Sequence, residues 1–187
     1  EQLQQHIQQL IPGFSLPNEA RHLFKARSIK KATVLLQENE QCRDIYFVNK
    51  GCLYLYYTHQ EQQEVIHFAL ENWWLTDYKT FSEGKPAVYA IAAMEDTELT
   101  AMSRTNYETL LRQFPLMALY FNKIHERAYG AALFKQKTYA TISKADFYRQ
   151  FRQTYPAFIQ RIPDVLFASY MGVSPETLKI FQAENIS

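Results

Sequence analysis

"IPDVLFASYMGVSPETLKIF", residues 162–181, reads as an apolar helix, a turn at Gly172 and a second, capped helix. Phe167, Ala168, Tyr170 and Met171 give the first helix its apolar side, and Ala168 is small enough for close packing. Gly172 supplies the turn and Val173 plugs its angle. Ser174 is a strong N-cap, Pro175 suits the first helical position, and Leu178 and Phe181, three apart, anchor the second helix. This is the outline of a helix-turn-helix. Its second helix would present Ser174, Glu176, Thr177 and Lys179 to a duplex, followed by Ile180. Base reading calls for Arg, Lys, Asn or Gln near the start of that helix, and only Lys179 is cationic, against Glu176 and Glu184. Over 143–187, Lys144, Arg149, Arg152, Arg161 and Lys179 face Asp146, Asp164, Glu176 and Glu184. That near balance predicts weak non-specific affinity for DNA, because phosphate neutralisation supplies most of it.

Working outward, Ser143 with Asp146 caps a helix through about Gln153, closed by Pro156. Residues 138–187 thus form a small helical unit, too short to bury much core alone. Before it, Pro115 opens a long helix over 115–137. Met117, Phe121, Ile124, Ala128 and Ala131 recur there at alternating four and three spacing. The stripe fits a helix packed on its own sheet; the small Ala128, Gly130, Ala131 and Ala132 favour two such helices associating. The cations of "KQK" (135–137) and Arg127 suit either flanking phosphates or a solvated face. Thr105 and Glu108 read as a capping box opening a short helix that ends near Phe114.

Between about 26 and 102 the texture is different. "TVLLQ", "DIYFV", "CLYLYY", "EVIHFAL", "AVYAIAAM" and "TELTAMS" are short strand-like runs separated by "NKG", "THQEQQ" and "SEGKP". In "CLYLYY", Leu53, Leu55 and Tyr57 share one face and Tyr54 and Tyr56 the other. Many closely spaced strands indicate a compact antiparallel sandwich or barrel. Residues 1–25 look helical, with Leu3, Ile7, Leu10 and then Ala20, Leu23, Phe24 at helical spacing, broken by "IPGF".

The bulk numbers fit one large domain or a core domain with an appendage: 187 residues, 47% hydrophobic, 21% charged, formal net charge +1. Any basic surface for nucleic acid must be local. No apolar run approaches the roughly 18 residues of a membrane span, and no signal peptide is visible, so the expected location is cytoplasmic with no membrane partner. Cys42 and Cys52 lack metal or redox spacing and read as structural thiols. The five histidines lack ligand spacing, and His67 in "EVIHFAL" reads as a core residue. No catalytic constellation is visible, so the chain is not expected to be an enzyme.

With "TVLLQENEQCRDIYFVNKGCLYLYY", "AMEDTELTAMS" and "RIPDVLFASYMGVSPETL" in this order, the chain resembles the Crp/Fnr family of bacterial transcription regulators over nearly its whole length. The short Bacteroidetes-type members are especially similar. The resemblance implies an α+β chain. Residues 1–114 would be an N-terminal antiparallel β-roll (a double-stranded β-helix of the cyclic-nucleotide-binding type) with flanking helices. Residues 115–137 would connect and dimerise through Met117, Phe121, Ile124, Ala128 and Ala131. Residues 138–187 would carry the helix-turn-helix. Asn39 stands where many members have Gly and tolerates the same turn conformation.

It also implies a ligand cassette at "TDYKTFSEGKPAVYAIAA", residues 76–93: Asp77, Tyr78, Lys79, Thr80, Gly84, Lys85, Ala87 and Val88. In relatives that bind cyclic AMP, backbone amides and an Arg hold the phosphate and an acid takes the ribose hydroxyl. Asp77 falls at that acid and Gly84 keeps the loop glycine. Ala87 falls at the Arg and Val88 at the following hydroxyl residue. Lys79 and Lys85 are the only cations within the loop. No resident cofactor is expected, and cyclic AMP is disfavoured; an unidentified effector or a filled pocket both fit. The implied function is a homodimeric regulator binding DNA. The alternative is a β-roll sensor or interaction module that has lost specific DNA binding.

Overall fold

The computed structural model describes residues 1–184; the last three residues of the 138–187 segment lie outside the described residues. The chain forms two compact units. One comprises 1–57 and 66–125, the other 58–65 and 126 onward.

The first unit opens with α1 (Gln2–Leu10) and a 3-10 turn (Asn18–Leu23). Two four-stranded sheets follow, built from β1 (Lys25–Ile29), β2 (Val34–Leu36), β3 (Asp44–Lys50), β4 (Leu53–His59), β5 (Gln62–Ala69), β6 (Trp74–Leu75), β7 (Ala90–Ala93) and β8 (Thr97–Ser103). Their orders are β1-β8-β3-β6 and β2-β7-β4-β5. In the first sheet Tyr46 lies opposite Ala101; in the second Leu55 lies opposite Ile91. The two sheets close on a core that includes Phe47, Leu53, Leu55, Ile91, Leu99 and Met102. Tyr57 is exposed although it shares the alternation of Leu53 and Leu55, while Tyr54 and Tyr56 are buried and stack on one another.

Between β6 and β7 sits α2 (Tyr78–Glu83), and after β8 come α3 (Arg104–Gln113) and α4 (Pro115–Thr141). The cap of α3 is Ser103, whose hydroxyl accepts from the Asn106 N–H, rather than Thr105; β8 ends at Ser103 and passes straight into the helix. A buried polar knot ties α1, β6 and α4 together. The Trp74 indole donates to the Tyr120 hydroxyl at 2.9 Å, and that hydroxyl lies 2.8 Å from His6 Nδ1.

The stripe on α4 divides. Met117 and Phe121 are completely buried in the roll's core and Ile124 packs against it, whereas Ala128 and Ala131 are exposed. This corrects the expected dimer seam, since its first residues serve the chain's own sheet. The helix also runs on to Thr141, four residues past the expected end.

The second unit contains α5 (Lys144–Thr154), α6 (Pro156–Ile159), α7 (Asp164–Met171) and α8 (Pro175–Glu184). Ser143 caps α5 as expected, its hydroxyl accepting from the Asp146 N–H. Aromatic rings fill the space that a small helical unit lacks aliphatic bulk to fill: Phe147, Tyr148, Phe158 and Phe167 are buried, and Phe151 packs against Phe167. The β4–β5 tip, 58–65, belongs here. Ser169 of α7 donates to the Gln63 carbonyl (2.7 Å) and accepts from the Val65 N–H (2.8 Å).

Positive φ occurs at Asn39, as expected, and at Gln60 and Glu61 in the hairpin tip. At Gly51 (φ +98) an added Cβ would lie 2.9 Å from Thr97 Cα and 2.8 Å from the Asp96 carbonyl oxygen. Gly51→Ala is expected to cost about 2 kcal/mol or more in urea denaturation; wild-type stability would show that the turn relaxes freely. Ser169→Ala removes both bonds to the hairpin tip. It is expected to cost about 1–2 kcal/mol and to speed amide exchange at Val65.

Candidate functional site

Two sites follow from the fold, one in each unit. The ligand-cassette segment wraps from α2 into β7. Asp77 is the N-cap of α2 and is buried, only 4% exposed. Its Oδ1 accepts from the Thr80 N–H at 3.4 Å, and its Oδ2 accepts from the N–H groups of Val88 (2.8 Å) and Tyr89 (3.3 Å). The carboxylate is thus held by backbone amides on both sides of the loop. Among the described residues no lysine, arginine or histidine forms an ion pair with it.

Ala87 lies in the core. Its N–H donates to the Glu40 carbonyl (2.7 Å) and its carbonyl accepts from the Asn39 N–H (2.8 Å). A buried methyl therefore stands where the resemblance places a phosphate-binding arginine. Val88 is 58% exposed, Lys79 is exposed, and Thr80 is buried with its hydroxyl donating to the Asp77 carbonyl. Gly84 ends α2 in the left-handed conformation (φ +66), with the Arg104 guanidinium occupying the space of a side chain. Lys85 pairs with Glu83 at 2.8 Å on the surface. Lys85 is thereby engaged at the surface.

Tyr78 points the other way, toward α4. Its ring meets His125 edge-on with centroids 5.0 Å apart. Neither the Tyr78 hydroxyl nor His125 Nε2 has a hydrogen-bond partner, and burial pushes the hydroxyl up and the imidazole down from their usual values. Sequence reading missed His125, because a lone histidine on a helix carries no signal until the tyrosine is beside it.

In the second unit, α7 ends at Gly172 in the left-handed conformation (φ +66). The Gly172 and Val173 N–H groups return to the Ser169 and Ala168 carbonyls. Helix α8 then starts under the expected cap, with the Ser174 hydroxyl accepting from the Thr177 N–H at 3.2 Å. Ser174, Glu176, Lys179 and Ile180 are exposed and Thr177 is half-buried; Leu178 is fully buried beneath them. The Ser174 and Thr177 hydroxyls lie 3.2 Å apart, so each partly satisfies the other. The Glu176 carboxyl is lowered by the N–H of its own residue, then by Ser174.

Behind the turn, the Tyr139 hydroxyl donates to the Tyr170 carbonyl at 2.6 Å. Lys135 Nζ lies 3.7 Å from the Tyr170 ring centroid, and Lys144 Nζ lies 4.0 Å from that of Tyr139. Burial, with the neighbouring Lys144 charge, lowers Lys135 to about 8. Its place over the Tyr170 ring takes it out of the expected "KQK" patch. Both cysteines are buried and not joined in a disulfide, and His67 stacks on Trp73. Among the described residues no group of His, Cys, Asp or Glu has a metal-binding arrangement, and no helix is long and apolar enough to cross a membrane.

Comparison with known proteins gives the same outline. Residues 26–114 match the cyclic nucleotide-binding domain family. No curated protein sequence matches. Among solved structures, a CooA mutant from Carboxydothermus hydrogenoformans is similar over 93% of this chain and 81% of its own, at 13% identity and TM-score 0.72. FixK2 from Bradyrhizobium japonicum is similar over 86% and 83%, at 14% identity and TM-score 0.70. A regulator of the Crp/Fnr family from Eubacterium rectale is similar over 90% and 83%, at 14% identity and TM-score 0.70. Residues 26–114 thus resemble the cyclic nucleotide-binding domain family, and the chain as a whole shares the fold of these solved structures.

Proposed function

We propose that the chain is a homodimeric transcription regulator that binds DNA through α7 and α8, tuned by a roll that does not take cyclic AMP in the usual way. The observation that carries this is the formed helix-turn-helix: a capped α8 that keeps Leu178 inside and turns Glu176, Lys179 and Ile180 outward. With Ser174 and Thr177 engaged in the cap, Lys179 is the side chain most free to reach a phosphate or a guanine edge. Ile180 suits contact with a thymine methyl.

Self-association is supported by a different face of α4 from the one that the spacing suggested. In the second unit Tyr129, Leu133 and Phe134 are exposed, Tyr129 and Phe134 by about two-thirds (69% and 68%), and nothing lies within 4 Å of a Cβ built on Gly130. Large apolar side chains beside a glycine on an open helix face suit close approach of a second copy.

The effector of the roll is not a cyclic nucleotide bound in the family manner. The absence of an arginine at 87 would cost about 2–5 kcal/mol of binding to a buried phosphate. A second reading, a sensor or interaction module without specific DNA binding, is favoured by one observation: α8 carries Glu176 and Glu184 against the single Lys179.

The two readings separate in a fluorescence anisotropy titration with fragments of the gene's own promoter region. Lys179→Ala is expected to weaken specific binding by about 1–3 kcal/mol; unchanged affinity at moderate salt would favour the module. Phe134→Glu is expected to convert the dimer to monomer in sedimentation velocity. A wild-type chain that is monomeric at micromolar concentration would overturn the dimer.

A further inference from the structure

We infer that Asp77 is a built-in anion: its carboxylate fills the anion-accepting corner of the roll and bars negatively charged ligands from it. This rests on reading 76–93 as a re-purposed ligand cassette, and it stands whether or not α7 and α8 bind DNA.

The argument begins with the amides. The N–H groups of Val88 and Tyr89 converge on a single oxygen, Asp77 Oδ2, at 2.8 and 3.3 Å, while Oδ1 takes the Thr80 N–H. Adjacent amides turned toward one point are the arrangement that proteins use for anions. Here the anion is supplied by the chain. Asp77 and Val88 are eleven residues apart, so the bond also staples the exposed loop between α2 and β7 to the cap of α2. Val88, although exposed, has its N–H bonded to this carboxylate.

The chemistry of an effector follows. An incoming phosphate or carboxylate would meet a fixed negative charge, amides already used, and the methyl of Ala87 in place of a cation. Like charges sharing a partly desolvated site repel. Any small molecule that enters this part of the roll is therefore uncharged or cationic, and Asp77 is the residue that sets that specificity. Tyr78, the next residue, carries an unpartnered buried hydroxyl on the α4 side and offers a neutral donor.

The test is chemical rescue in the full chain. Asp77→Ala empties the corner, and sodium formate or acetate is then the probe, with sodium chloride at equal ionic strength as the control. The melting temperature of Asp77→Ala is expected to fall by several degrees and to recover by more than half in formate but not in chloride. Wild-type protein should respond equally to both salts and not at all to cyclic AMP or inorganic phosphate. A purely structural aspartate would give the loss without the rescue, and that result overturns the proposal. So does a wild type stabilised by cyclic AMP or phosphate. If Asp77→Ala does not fold, amide exchange in the wild type decides. The Val88 N–H should exchange roughly a hundredfold slower than an open loop amide, and exchange at the open-loop rate overturns the assignment.

Discussion

The Tyr120 hydroxyl is the constraint on which the first unit turns. It accepts from the Trp74 indole and shares a hydrogen bond with His6, so three elements far apart in sequence meet at one buried oxygen. Around it Phe47, Trp74 and Phe121 pack with ring centroids 5.2 to 5.3 Å apart. A polar group buried without partners is costly, whereas a fully satisfied one fixes register. The knot therefore sets which face of α4 looks inward, and Met117 and Phe121 enter the core on that face. Everything on the opposite side of the helix is left for other uses.

Legibility in the sequence tracked how far local pattern decides local structure. Ser174, Gly172 and Leu178 announced the helix-turn-helix because capping, left-handed turns and helical spacing are short-range. The longer strands were visible as runs rich in Val, Ile, Tyr and Phe between turn signals, although the alternation of Leu and Tyr in β4 does not match its burial. "KARSI" was not, since four of its five positions are exposed and show no apolar period, and β6 has only two residues. The stripe on α4 was seen but could not be assigned, because a heptad seam and a core-facing helix share one spacing. Asp77 shows the same limit: an acid at that position serves a ribose or a backbone amide equally well on paper, and only the fold of the loop decides between them.

The 76–93 segment and the helix-turn-helix share a theme. In both, groups that could serve an external partner are engaged internally: Asp77 with the loop amides, Ser174 with Thr177, Lys135 with Tyr170. Each is stabilising locally, and each subtracts a donor, acceptor or charge from recognition. The fold shared with the solved structures is present, while these side chains are turned to local contacts, as is possible when function lives in sites grafted on a fold.

The hairpin tip has a wider consequence. Gln60 and Glu61 both adopt positive φ, a conformation that neither residue favours, and the strand beside them is held by Ser169 from α7. The tip's geometry is thus underwritten by residues more than a hundred positions downstream. No single cut in the chain can separate the two units cleanly, because one of them includes a segment inserted within the other. In evolutionary terms the roll and the helix-turn-helix are not interchangeable cassettes. A recombination that exchanges one must bring along either the tip or its serine, or leave a strained turn without its support.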